Sequence, residues 1–275
     1  MLKRSIFFVI CSILVSFSAF AESGDTTLLL DVGKDEQDNT NSLVSVDMGL
    51  SGSRRLFFGF GKSKIPSGTD TIESNLAFVG LSQKYSDDWK LSGTLESSGL
   101  KGAYTMFSTS AGIQYSQDNY YLEFAPAIRR ISLTTLSKRQ LIVSSAALGI
   151  KAGLYLGKYF RLSANTYSYS YSNDVSKLAS FASTRFFNVK TLLLSSGLLK
   201  KSYNVETGLD FDSFSVSIGK NRSISAIDNN ASDYVYSVLD YYISDAWGVS
   251  VLFGEYLNTP SDQNNYSALT VNYSF

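Results

Sequence analysis

Nine ionisable residues, Asp47, Lys90, Glu96, Glu123, Arg129, Lys151, Arg161, Glu206 and Asp210, fall at the polar positions of segments in which alternate residues are apolar. Mixed charges on one face of such segments, with an apolar face behind them, suit the handling of ions and polar solutes. In a water-filled enclosure they set a transverse field and a constriction that selects small polar solutes. In a narrow interior the same charges neutralise one another and fasten the walls together. The sequence leaves both arrangements open.

Bond-making chemistry has little to work with. The chain of 275 residues has no histidine and a single cysteine, Cys11. Without imidazole or an available thiolate, Ser-His and Cys-His nucleophile activation are excluded, as are zinc and copper sites built on those ligands. The acidic loop at 35–38 lacks the periodic oxygen ligands and the glycine of a calcium loop. No catalytic residue, metal or cofactor is therefore expected, and the protein reads as a non-enzyme.

The elements that carry these charges are short alternating segments. Val44, Val46, Met48 and Leu50 interleave with Ser45, Asp47 and Gly49, and Leu56, Phe58 and Phe60 with Gly59 and Gly61. Trp89, Leu91 and Leu95 interleave with Lys90, Ser92, Thr94 and Glu96. The same period of two puts Tyr120, Leu122, Phe124 and Ile128 opposite Glu123, Ala125 and Arg129, and Val205 and Leu209 opposite Glu206, Gly208 and Asp210. A period of two is that of a strand with two unlike faces. Segments of about ten residues separated by Gly, Ser, Asn and Asp are the pattern of a membrane-spanning barrel. Tight turns are expected at 86–88, 116–119, 157–158 and 244–246. Trp89 and Trp247 follow two of them, where an aromatic girdle requires rings, and Tyr167, Tyr169 and Tyr171 are read as part of the outer girdle. Pro126 interrupts a strong strand and predicts a bulge or kink. A weak repeat relates residues 27–62 to 191–220.

Residues 1–21 read as a secretory signal peptide: Lys3 and Arg4, an apolar run over 6–20, and an A-x-A site at 19–21. Cys11 leaves with it. Losing Lys3 and Arg4 from 24 basic against 24 acidic residues makes the remainder slightly acidic, which suits no nucleic-acid partner. Beyond the leader no apolar run is long enough for a spanning helix, so a closed barrel is the only way across a bilayer.

The last strand pattern sets Leu269, Val271, Tyr273 and Phe275 against Ala268, Thr270, Asn272 and Ser274. It resembles the closing strand by which Gram-negative outer-membrane β-barrels are recognised for assembly. The resemblance implies a single all-β domain over 22–275, a transmembrane antiparallel β-barrel of about 14–16 strands in the cell outer membrane. Sixteen strands require one at 178–187; fourteen result if that region is a long loop. It implies a porin-like channel for small hydrophilic solutes, or else a structural, adhesive or envelope-assembly barrel. The partners implied are outer-membrane lipid, lipopolysaccharide, the barrel-assembly machinery and small polar solutes. Lys62 and Lys64, with their repeat counterparts Lys220 and Arg222, are candidates for contact with lipopolysaccharide phosphates.

Overall fold

The structure is a computed structural model that describes residues 26–36, 38–67, 70–100, 104–134, 140–175, 198–257 and 264–275. The leader lies outside them. Fourteen strands follow one another along the chain: β1 (Thr26–Asp35), β2 (Thr40–Ser51), β3 (Arg54–Ser67), β4 (Asp70–Lys84), β5 (Trp89–Leu100), β6 (Tyr104–Gln117), β7 (Tyr120–Thr134), β8 (Gln140–Leu156), β9 (Phe160–Tyr171), β10 (Leu199–Asp210), β11 (Phe214–Ser225), β12 (Ala231–Tyr242), β13 (Trp247–Leu257) and β14 (Asn264–Ser274). Each pairs antiparallel with its sequence neighbours, and β1 pairs with β14, so the sheet closes. Closure satisfies every ladder without leaving an edge, the condition for a sheet in lipid. β9 pairs directly with β10 and the described strands close into a ring of 14; the strand considered at 178–187 lies outside the described residues.

The two faces separate as the period of two requires. On the outer face Phe60, Ile128, Val205, Ile218 and Phe253 are all more than half exposed. Exposed apolar surface on this scale, repeated around a closed wall, has lipid as its complement.

The end that carries both termini has connections of four residues at most, at 52–53, 85–88, 118–119, 157–159, 211–213 and 243–246. The opposite end carries the longest, 172–198. Short turns face the periplasm and long loops the exterior in barrels of this class. Ser86 and Ser244 build equivalent turns: each hydroxyl accepts from the backbone N–H of the tryptophan three residues on, Trp89 and Trp247, at 3.2 Å. Around this rim Trp89 packs on Tyr115 at 5.0 Å, Tyr115 near Tyr120 at 6.1 Å, Phe211 on Phe214 at 4.6 Å and Trp247 on Tyr273 at 4.5 Å. The aromatic girdle expected after the turns is present.

Pro126 does not produce a bulge. Ser110↔Ala127 and Ile113↔Phe124 keep one register on either side of it, and Pro126 itself pairs with Leu148 in an uninterrupted ladder with β8. The proline shares the outward parity of Phe124 and Ile128, and its effect on the ladder is a lapse in pairing with β6 at Ala111 and Gly112, without a change of register.

The seam is finished by the last residue. Phe275 N–H donates to the Thr26 carbonyl at 2.9 Å, Thr26 N–H donates back at 3.2 Å, and the Phe275 ring stacks on Tyr273 at 5.6 Å. Deleting Phe275 removes both hydrogen bonds and the ring. The expected result is a smaller fraction of protein in the heat-modifiable, folded form; an unchanged fraction would show that β14 closes the barrel without its final residue.

Candidate functional site: the charged lumen

All nine charged candidates face inward. Asp47 accepts from Arg55 Nε at 2.9 Å across β2 and β3. Lys151 on β8 bridges to Glu123 on β7 at 2.8 Å. Arg161 on β9 reaches both Glu206 and Asp210 on β10 at 3.4 Å. Each of these pairs joins adjacent strands; among the described residues none crosses the lumen. The other three behave differently. Lys90 and Glu96 on β5 have no ion-pair partner among the described residues, and Arg129 on β7 lies over the Tyr169 ring, 4.5 Å from its centroid, with Nη2 donating to the phenol at 3.2 Å.

The sequence reading missed further inward polar groups. Arg55 stands next to a two-residue turn, where its parity has little context. Asp31 lies in a run of leucines, with its carboxylate accepting from Thr270 Oγ1 at 2.8 Å and from Asn41 at 3.5 Å. Asp240 accepts from Ser215 at 2.8 Å. Only the partner strands disclose that these side chains point inward.

Tyr167, Tyr169 and Tyr171 are not part of the outer girdle. They share the parity of Arg161, Ser163 and Asn165 and face the lumen, where Tyr167 and Tyr169 stack at 6.4 Å and Tyr171 donates to the Leu199 carbonyl at 2.7 Å. Inward rings are common on this wall because they cover inward glycines. A Cβ on Gly149 would strike the Tyr167 ring, one on Gly153 the Tyr121 ring, and one on Gly219 the Tyr236 ring. The glycine leaves room for a flat ring to lie along the sheet instead of projecting into the lumen.

The lumen changes character along its length. Towards the periplasm a space of about 380 Å³ is lined by Asp47, Arg55, Lys90, Glu123, Lys151 and Tyr167. Towards the exterior the inward side chains become apolar: Leu100, Tyr104, Met106, Ile131, Leu133 and Val143 form a buried cluster with Val175, Leu198 and Ile227 from the outer connections. A larger depression, about 700 Å³, lies among Ile218, Val235, Phe253 and Ser267, all of outward parity. Lys34, Asp35, Glu36 and Glu255 also line it.

Lys62, Lys64, Lys220 and Arg222 also have outward parity, on the exterior halves of β3 and β11. Lys62 pairs with Glu73 at 2.8 Å, and Lys220 and Arg222 share Asp233 at 3.3 and 3.7 Å. In the weak repeat, Gly208 and Lys220 match the parities of Gly49 and Lys62; its portion at 191–194 lies outside the described residues. Among the described residues no three His, Cys, Asp or Glu side chains converge to hold a metal ion.

A closed fourteen-strand antiparallel barrel with an apolar outer wall, an aromatic girdle at one rim and a charged inner wall has the fold of an outer-membrane β-barrel. Solved structures share this fold at low sequence identity. They include the CymD monoaromatic hydrocarbon channel (8% identity, TM-score 0.59, over 92% of this chain and 89% of that one) and a bacterial polysaccharide outer membrane secretin (10%, 0.55, 92% and 99%). The NanC porin aligns with 9% identity and a TM-score of 0.51 over 90% of this chain and all of its own. No protein-family model matches the chain, and no curated protein does.

Proposed function

We propose that the protein is a passive channel for small hydrophilic solutes. The observation that carries this reading is the pair of unpartnered lumen charges, Lys90 and Glu96. A charge without a counterion is too costly to bury in a packed interior, so these side chains call for water around them. Among the described residues the lumen ion pairs run along the wall rather than across it. Two of the structural neighbours are themselves named as a porin and a channel. An enzymatic role has no support in a chain that lacks histidine.

Around the channel, the lipid-facing wall meets outer-membrane lipid. Lys62, Lys64, Lys220 and Arg222 would meet lipopolysaccharide phosphates, with Lys62 held by Glu73 and Lys220 and Arg222 by Asp233. The closing strand ending in Phe275 is the segment offered to the barrel-assembly machinery.

Planar-bilayer recordings test the channel. The wild-type barrel should conduct. Lys90→Gln should move selectivity towards cations and Glu96→Gln towards anions, because each removes a charge that is not held in an ion pair among the described residues. Both shifts should fade at 1 M salt, where the screening length falls to about 3 Å. A folded, inserted barrel without conductance would discard the channel and leave a structural or adhesive barrel, to which the apolar cluster at the exterior end would then belong as a seal.

A further inference from the structure

Between the Glu123–Lys151 pair and the apolar cluster, the inner wall of β7 and β8 presents three kinds of rung. Ala125 pairs with Gly149 and Ala127 with Ala147, so two successive rungs carry almost no side-chain volume. Next come Arg129 and Ser145, also register partners, and beyond them Ile131 and Val143, which are 0% and 1% exposed within the cluster. Arg129 leans back over the small rungs, since Tyr169, on whose ring it lies, is the register partner of Ala147.

Only one edge of this guanidinium is used. Nη2 donates to Tyr169, whereas Nε and Nη1 are buried without an acceptor, and the hydroxyl of Arg129's register partner Ser145 is buried without a partner among the described residues as well. Enclosing ionised donors with nothing to accept from them is among the least favourable arrangements a fold can hold. An anion that accepts from the guanidinium and from the serine hydroxyl removes the penalty. Glu96 stands on the same rung, two strands away through Ser108, and Glu123 lies below. The Glu96 carboxylate disfavours a second negative charge on the ligand.

We propose that Arg129 and Ser145 form a binding site for a small monocarboxylate with an apolar body. The carboxylate accepts from Nη1 and from the serine hydroxyl, and the body lies along Ala127 and Ala147 beneath Ile131. The proposal deepens the channel reading by naming a solute class, and it rests on a lumen that water and solutes enter.

Isothermal titration of the purified, detergent-folded barrel with benzoate tests it. Benzoate should bind, with benzyl alcohol, acetate and phthalate at least tenfold weaker because they lack the charge, lack the ring or carry a second charge. Arg129→Gln should weaken benzoate at least tenfold, Arg129→Lys should restore part of the loss, and Ser145→Ala should weaken it several-fold. Heat-modifiable mobility reports whether each variant is folded; if Arg129→Gln does not fold, Ser145→Ala and the ligand comparison decide. No benzoate binding to the folded wild type, equal binding by the folded variants, or phthalate or benzyl alcohol binding as well as benzoate would overturn the proposal. A barrel that conducts yet ignores benzoate loses the site and keeps the channel. One that binds benzoate without conducting loses the channel and keeps the site.

Discussion

Val251→Arg is expected to destabilise the barrel by about 2–4 kcal/mol, whereas Ser250→Arg, one residue away, should cost much less. Val251 pairs with Leu239 and Leu269, which are 47% and 49% exposed on the outer wall, so an arginine there meets hydrocarbon. Ser250 pairs with Asp240 and Thr270, and Thr270 donates to Asp31. An arginine at 250 therefore enters water beside two carboxylates. Urea unfolding in lipid vesicles measures both costs. Equal losses would mean that the faces are not lipid and water.

Gly80→Ala is expected to cost about 1–3 kcal/mol, in the range of overpacking a filled site. Its Cβ would meet the Phe57 ring and also the Gly93 carbonyl oxygen at 2.8 Å. A ring can swing into the lumen; a carbonyl fixed in a ladder cannot. For Gly153→Ala the nearest atoms all belong to the Tyr121 ring. A double-mutant cycle separates the two cases: Tyr121→Ala should rescue Gly153→Ala, and Phe57→Ala should leave most of the Gly80→Ala cost in place. Full rescue by Phe57→Ala would mean that the Gly93 carbonyl is free to yield.

Parity was the legible part of this sequence, because a lipid face and a water face impose opposite demands on alternate residues. Asp47, Glu123 and Glu206 are correctly placed by it, and so are Val251 and Ser250. It fails where the inward face is apolar. Tyr104, Met106, Ile131, Leu133 and Val143 point inward yet carry no polar mark, so the apolar exterior half of the lumen is invisible in the sequence. The three tyrosines after Asn165 were misread for a related reason: aromatic character suggested a girdle, although their odd numbering continues that of Arg161 and Ser163. The glycines that those rings cover supply the missing signal, but they lie on a neighbouring strand, and only the register brings Gly149 against Tyr167. Ion pairs such as Lys151–Glu123 likewise join residues 28 apart in sequence, a separation no local pattern encodes.

The bond between Thr27 Oγ1 and Ser274 Oγ joins residues 247 apart. Loop closure over such a span carries an entropic term of roughly 5 kcal/mol beyond a constant, from the logarithmic dependence on length. Thirteen of the fourteen strand pairings form between neighbours in sequence, and only the β1–β14 pairing bears that cost. The ladder can therefore zip from hairpin to hairpin, while its first and last strands remain open edges until the end of the chain arrives. During that interval the intermediate exposes both the greasy outer wall and two unpaired backbones, the combination most prone to aggregation. Assembly must then be a race between sealing one seam and off-pathway association, with the outcome decided at the final strand.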